Sequence, residues 1–199
     1  ENNISNLLTD LQNQEYQNIE IIVFNDQSTD NTAQIVQEFS NSDKRIKLIN
    51  STGLPEGWLG KNYACHILAN QAKGSYFLFL DADVRVGNGI FANTLAKSEK
   101  LNLGLLSIFP KQKMMSWGEK IAVPNMNYIL LSLLPLILVR RLKLSSLAAA
   151  NGQFMLFNAE IYRKYQPHEL IKANKVEDIE IARYFKKKHI KIACLVGDE

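Results

Sequence analysis

The amino-acid sequence points to an α/β fold in which a mostly parallel central sheet is covered by helices on both faces. Short apolar runs at 19–24, 46–50, 76–80, 103–109 and 191–196 are separated by stretches of helical periodicity, and strands that alternate with helices join as parallel crossovers. The runs at 19–24 and 76–80 are almost wholly apolar rather than alternating, as strands buried on both faces are. With 199 residues, 46% of them hydrophobic and 22% charged, the chain can bury about 70% of its unfolded surface. That excludes the disordered, collagen-like and disulfide-scaffold classes.

The chain opens in a helix, because Ile4, Leu7, Leu8 and Leu11 recur at helical spacing. The strand at 19–24 ends at Asn25-Asp26. Asp30 or Asn31 then caps a helix whose Ile35, Val36 and Phe39 share one face, and Gln34 stands three residues past Asn31 as in a capping box. A strand at 46–50, a helix at 63–72, a strand at 76–80, a helix at 91–100 and a strand at 103–109 follow. Beyond Pro110 the pattern changes: residues 121–139 hold no charge, and 128–139 are nearly all apolar. Twelve helical residues cover about 18 Å, against about 30 Å of bilayer core. Pro124 and Pro135 interrupt any longer span. Lys111, Lys113 and Lys120 precede this stretch and Arg140, Arg141 and Lys143 follow it. The segment 113–143 therefore suits either a helix lying in an anionic membrane interface or a buried core helix with solvated ends. A strand or loop at 152–157, a short helix at 159–165, a helix at 177–188 and a strand at 191–196 complete the reading.

The net charge of +3 is unevenly spread: residues 1–60 carry 3 basic and 9 acidic groups, whereas 140–191 carry 12 and 5. A basic half suits phosphate or an anionic membrane, and without a zinc finger or an RNA-reading pattern nucleic acid is not expected as a partner. Cys65 and Cys194 form no Cys-x-x-Cys spacing, and His66, His168 and His189 share no ligand spacing, so the histidines and cysteines signal no metal. A reducing compartment fits, and no signal-peptide pattern opens the chain.

Ligands of a parallel sheet gather beyond the carboxyl ends of its strands, and two strands here end in acids. Asp26 and Asp30 follow the first; read alone, turn and cap chemistry accounts for them. Asp81-Ala82-Asp83 follows the strand at 76–80. In an extended segment both carboxylates face one way and repel unless a cation sits between them, so Mg2+ or Mn2+ held with water and phosphate oxygens is expected. Two solvated turn aspartates are the plainer alternative. Glu177-Asp178 stands at a helix start, where the macrodipole stabilises carboxylates whether or not they do chemistry.

Taken together these segments resemble the family 2 glycosyltransferases of GT-A fold, along essentially the whole chain. Residues 25–32 resemble the family's Asp-Ser-Thr-Asp segment, Asp81-Ala82-Asp83 its Asp-x-Asp motif, and Glu177-Asp178 its Glu-Asp pair. Gly57-Trp58-Leu59-Gly60-Lys61-Asn62, with Ala64, is similar to a segment of the branch that glycosylates ceramide, hopanoid and carotenoid lipids. The resemblance implies one GT-A (Rossmann-like) domain over 1–199, incomplete at both ends. An apolar first strand is expected ahead of Glu1, and a Gln-x-x-Arg-Trp-like segment with membrane helices beyond Gly197-Asp198. It implies a nucleotide diphosphate sugar donor, UDP-sugar favoured, near Asp26, Asp30, Lys61 and Asp81, with the metal on Asp83 and Asp81. Asp178 would be the base, and Trp58, Asn151, Gly152, Gln153 and Glu177 the acceptor side. Inverting transfer to a hydroxyl or carboxyl of a lipid acceptor, at the cytoplasmic side of a membrane, follows. The alternatives are an inactive membrane-peripheral nucleotide-sugar-binding domain and a metal-dependent phosphatase or nucleotidyltransferase. A dehalogenase-like phosphatase shares Asp81 and Asp83 but expects Thr or Val where Arg85 stands.

Overall fold

In the computed structural model, which describes residues 1–112, 117–118, 136–142 and 144–197 (of Asn2 the backbone alone), the elements follow the predicted order closely. They run α1 (Asn2–Gln12), β1 (Ile21–Asn25), α2 (Thr32–Ser42), β2 (Ile46–Asn50), α3 (Gly60–Gln71), β3 (Tyr76–Leu80), α4 (Ile90–Leu101) and β4 (Leu105–Phe109). After these come α5 (Leu136–Arg141), a 3-10 turn (Ser145–Leu147), β5 (Phe154–Asn158), α6 (Ala159–Tyr165), α7 (Pro167–Leu170), α8 (Glu177–Lys187) and β6 (Ile192–Val196). The stretch 152–157, open between strand and loop in the sequence, is a turn leading into β5. The 3-10 turn and the four-residue α7 carry too few residues for a periodicity to announce them.

The expected mostly parallel sheet is corrected in two ways. β1 and β2 form a parallel pair of their own, from Ile21 opposite Ile46 to Asn25 opposite Asn50. The second sheet has the order β3-β5-β4-β6, with β5 antiparallel to both neighbours and only β4–β6 parallel. An apolar run such as Phe154–Asn158 states that a strand is buried but not which way it runs. The capping box also fails: Asn31 makes no side-chain cap, and Gln34 gives its amide to Glu38 Oε1 at 3.0 Å. Asp30 caps instead, its Oδ1 accepting from Thr32 N at 3.1 Å.

Helices cover both sheets. Around the four-stranded sheet Phe157, Tyr162 and Phe185 are fully buried, with Phe77, Phe79 and His168 edge-on or tilted against Phe157 and Tyr162 at 5.4–6.0 Å. His168 Nδ1 pairs with the Tyr162 hydroxyl at 2.6 Å, and burial presses the imidazole down to about 3, so it is neutral. The N-terminal core is separate: Leu8 of α1, Val36 of α2 and Ile46 of β2 meet there. Between the β1 edge away from β2 and the β3 edge away from β5 lies a cleft of about 920 Å³, walled also by α1, α3 and α4.

Most of the apolar, basic-flanked segment 113–143 lies outside the described residues. Within its described residues, α5 buries Val139, exposes Ile137 and carries Arg140 and Arg141 in its last turn. The buried Lys186 of α8 donates to the carbonyls of Leu142, Leu144 and Leu147 at 3.0, 3.2 and 2.6 Å, fixing the chain that leaves α5. Among the described residues no helix is long and apolar enough to cross a membrane.

Candidate active site

The first turn of α3 assembles the site. Gly60 has no side chain, and a Cβ there would stand 3.1 Å from Asp26 Oδ2, so glycine lets this exposed carboxylate approach the positive end of the helix. Lys61 reaches the other way. Its Nζ lies 3.0 Å from Asp81 Oδ1, 3.0 Å from Glu177 Oε1 and 3.5 Å from the Gly152 carbonyl. Burial alone would lower the ammonium, but the bonds to Glu177 and Asp81 outweigh it and hold Lys61 above its ordinary range. Asn62, 1% exposed, donates from Nδ2 to the carbonyls of Ile171, Lys172 and Asn174 at 3.0–3.2 Å. Leu59 N adds a bond to Lys172 O at 2.8 Å, so the loop entering α8 is docked on the start of α3.

Asp178 sits in the first turn of α8. Its Oδ2 accepts from Gly152 N at 3.0 Å and its Oδ1 from Ile179 N at 2.7 Å. Burial raises Asp178 above the usual carboxylate range, and the two amides and Lys61 recover only part of the shift. Gly152 fills its place for a steric reason: a Cβ would stand 2.9 Å from Lys61 Nζ and 3.0 Å from Glu177 Oε1.

Residues 81–83 are not the extended segment the sequence suggests. Asp81 N bonds Gln153 O at 3.2 Å, then the chain turns, Val84 N returning to Asp81 O at 3.1 Å and leaving Asp83 exposed at the corner. Arg85 anchors the exit, its Nη2 meeting Asp10 Oδ1 at 2.7 Å while Val86 N bonds Asp10 Oδ2 at 3.2 Å.

Asp81, Lys61, Gly152, Glu177 and Asp178 thus stand together, with Asp26 beside them across Gly60. Asp30 stands apart: its bonds with Thr32 hold it well below the usual carboxylate range. Asn151 is spent on the turn, its Oδ1 accepting from Gln153 N at 2.9 Å and its N–H donating to Ser107 Oγ at 2.7 Å. Trp58 packs on Tyr63 and His66 with centroids 5.6 and 5.1 Å away. The positioning roles of Asn62, Arg85 and Ser107 escaped the sequence reading. Asn62 left a signal in the Gly57–Asn62 segment, and Ser107 in being a hydroxyl inside an apolar strand.

Among the described residues no three His, Cys, Asp or Glu side chains form a metal cage by themselves. Asp81 nevertheless already carries a cation, the Lys61 ammonium, and Asp83 follows on the same turn. This donor set suits a hard ion that takes one or two carboxylates and fills its other positions with water and phosphate oxygens.

A split α/β sheet with carboxylates gathered at its strand ends is the class that fold and site define. Residues 1–166 match the model of glycosyl transferase family 2, and the chain belongs to that family. It is 31% identical over 99 residues to 4,4'-diaponeurosporenoate glycosyltransferase of Staphylococcus haemolyticus, covering 49% of this chain and 26% of that protein. It is 33% identical over 100 residues to GalNAc(5)-diNAcBac-PP-undecaprenol beta-1,3-glucosyltransferase of Campylobacter jejuni, covering 50% and 30%. The likeness therefore spans less than a third of either relative. Among solved structures, the mannosyltransferase of Pyrobaculum calidifontis in complex with GDP-Man and Mn2+ superposes with a TM-score of 0.71 at 17% identity, over 98% of this chain and 53% of that one. That likeness is one of fold, and it bears out the GT-A-like α/β architecture while the continuous parallel sheet is absent.

Proposed function

We propose that the chain is the donor-binding and catalytic part of an inverting glycosyltransferase that moves a sugar from a nucleotide diphosphate sugar, UDP-sugar favoured, to a lipid acceptor. One observation carries the reading: a single ammonium, that of Lys61, touches both Asp81 at the end of β3 and Glu177 beside Asp178. The metal-side acid and the base-side acids are therefore within one side chain's reach of each other, the spacing a donor and an acceptor need to meet.

In this reading Asp26 lies on the nucleoside side and Lys61 faces the diphosphate. Asp83 and Asp81 would hold Mg2+ or Mn2+, which when bound neutralises charge on the departing diphosphate. Asp178 takes the proton of the acceptor hydroxyl as its oxygen bonds the anomeric carbon. The bond to the β-phosphate oxygen breaks on the opposite face, and its electron pair leaves with the nucleoside diphosphate. A carboxylate raised by burial holds a proton better than a solvated one, which suits a general base. Gly152, Gln153, Asn151, Glu177 and Trp58 frame the acceptor side.

The lipid acceptor is supported by the names of the two relatives and by α5 with the residues that follow it, where Ile137 on the helix and Leu142 and Leu144 after it are exposed beside Arg140 and Arg141. Sedimentation with anionic vesicles is expected to carry the chain down, and no binding would remove the membrane from the reading. The break in the sheet is accounted for by an apolar strand ahead of Glu1, parallel to β1 and β3 in the cleft between them. A chain extended by that strand is expected to slow amide exchange at Ile22, Phe24, Leu78 and Leu80.

The direct test is calorimetric titration of UDP with and without Mn2+, repeated on Asp83→Ala and Asp81→Asn. Metal-dependent binding lost in both variants is the expected result, and metal-independent binding would overturn the metal site.

A further inference from the structure

We infer that Lys61 is a built-in cation that keeps Asp81 closed to a divalent ion until a nucleotide diphosphate arrives, so that metal and donor enter together. The inference rests on the donor-site reading above and adds an order of events to it.

Asp81 and Glu177 would repel across the site, and the Lys61 ammonium sits 3.0 Å from an oxygen of each. An ion approaching Asp81 must displace that ammonium or share its carboxylate with a like charge. The two contacts are unequal in access. The Glu177 side chain is 13% exposed and the Asp81 side chain 34%, so Glu177 is the anchored end and Asp81 the end an incoming ligand meets. Lys61 itself is 42% exposed, which leaves its stem room to swing.

A diphosphate alters the balance. Its oxygens supply the negative charge that Asp81 supplies in the free protein, so the ammonium can turn toward phosphate while keeping Glu177. Asp81 is then released when the ion has phosphate oxygens to complete its shell. Gly152 fits the same account, since a Cβ there would stand 2.9 Å from Nζ and 3.0 Å from Glu177 Oε1. The glycine leaves the ammonium a place beside Glu177 that a side chain would crowd.

The test is Mn2+ titration, followed by the electron paramagnetic resonance of the free ion, on wild type, Lys61→Met and Lys61→Gln, each without and with UDP. Circular dichroism checks that each variant is folded. Wild type is expected to bind Mn2+ weakly alone and far more tightly with UDP. Both variants are expected to bind Mn2+ alone at least about tenfold more tightly than wild type, the low end of what one adjacent opposite charge is worth. They gain less from UDP, and Asp81→Asn added to Lys61→Met returns the affinity to the wild-type level. If UDP promotes Mn2+ binding in wild type but the folded neutral variants bind Mn2+ alone no better, the role given to Lys61 is overturned and the donor site stands. If no variant binds Mn2+ with UDP, the donor-site reading fails and this inference with it.

Discussion

The two sheets are buried to different depths. β4 and β5 each bury four of five residues, and an aromatic stack seals one face of their sheet. β1 buries only its two end residues, and β2 only its first. Gly152 and Asp178 stand on the deeply packed part and Asp81 ends β3, an edge strand that buries only Phe77, while the smaller sheet presents Asp26 and Asp30 on exposed loops. Groups whose angles matter for bond making stand on the rigid support, and groups assigned to the nucleoside end stand on the part that can yield.

The sharpest way to break this contrast is by rate. Asp178→Asn is expected to lower turnover about 1,000-fold, about 4 kcal/mol, with UDP affinity kept. Asp26→Ala is expected to weaken donor binding about tenfold, about 1.4 kcal/mol, with turnover at saturation kept. Steady-state kinetics with radiolabelled UDP-sugars decide, and a larger turnover loss at Asp26 would reverse the assignment of the halves. Stability gives the next largest separation. In urea unfolding Phe157→Ala should cost about 3–5 kcal/mol, whereas Val23→Ala on the half-buried β1 should cost about 1 kcal/mol. Similar values would show that the halves are equally packed.

Asn62→Ala probes the joint between α3 and the 171–174 loop. Losing a buried amide that faces three carbonyls should cost about 2 kcal/mol and speed proteolysis in that loop. Proton linkage is the finest probe. His168 is neutral in the fold, so the unfolded chain binds a proton that the folded chain does not. Its contribution is whole above pH 6.5 and declines below it by about 1.4 kcal/mol per pH unit. His168→Gln should flatten that slope. Asp178 acts in the opposite sense. Raised in the fold, it favours the protonated folded chain, so stability falls as pH rises through the interval above 3.8, and the acid limb of turnover lies above that value.

Much of this was legible in the chain. Strands such as Tyr76–Leu80 show as five apolar residues whatever packs on them, and Asp81 and Glu177 show as acids at a strand end and a helix start. The direction of β5 did not show, because burial pattern carries no polarity. Nor did the ties of Lys61, whose partner Gly152 lies 91 positions away. The capping box misled because Gln34 had a better partner one turn on, in Glu38.

Gly60, Lys61 and Asn62 are consecutive in one helical turn, and consecutive side chains point about 100° apart around the axis. Three walls are therefore met in turn: the bare Cα of Gly60 faces Asp26, the Lys61 side chain Asp81 with Glu177, and the Asn62 side chain the loop into α8. Rolling α3 about its own axis moves all three at once and by the same angle. Deleting one residue inside the turn would rotate everything after it by about 100° against everything before it, so the walls could no longer all be met.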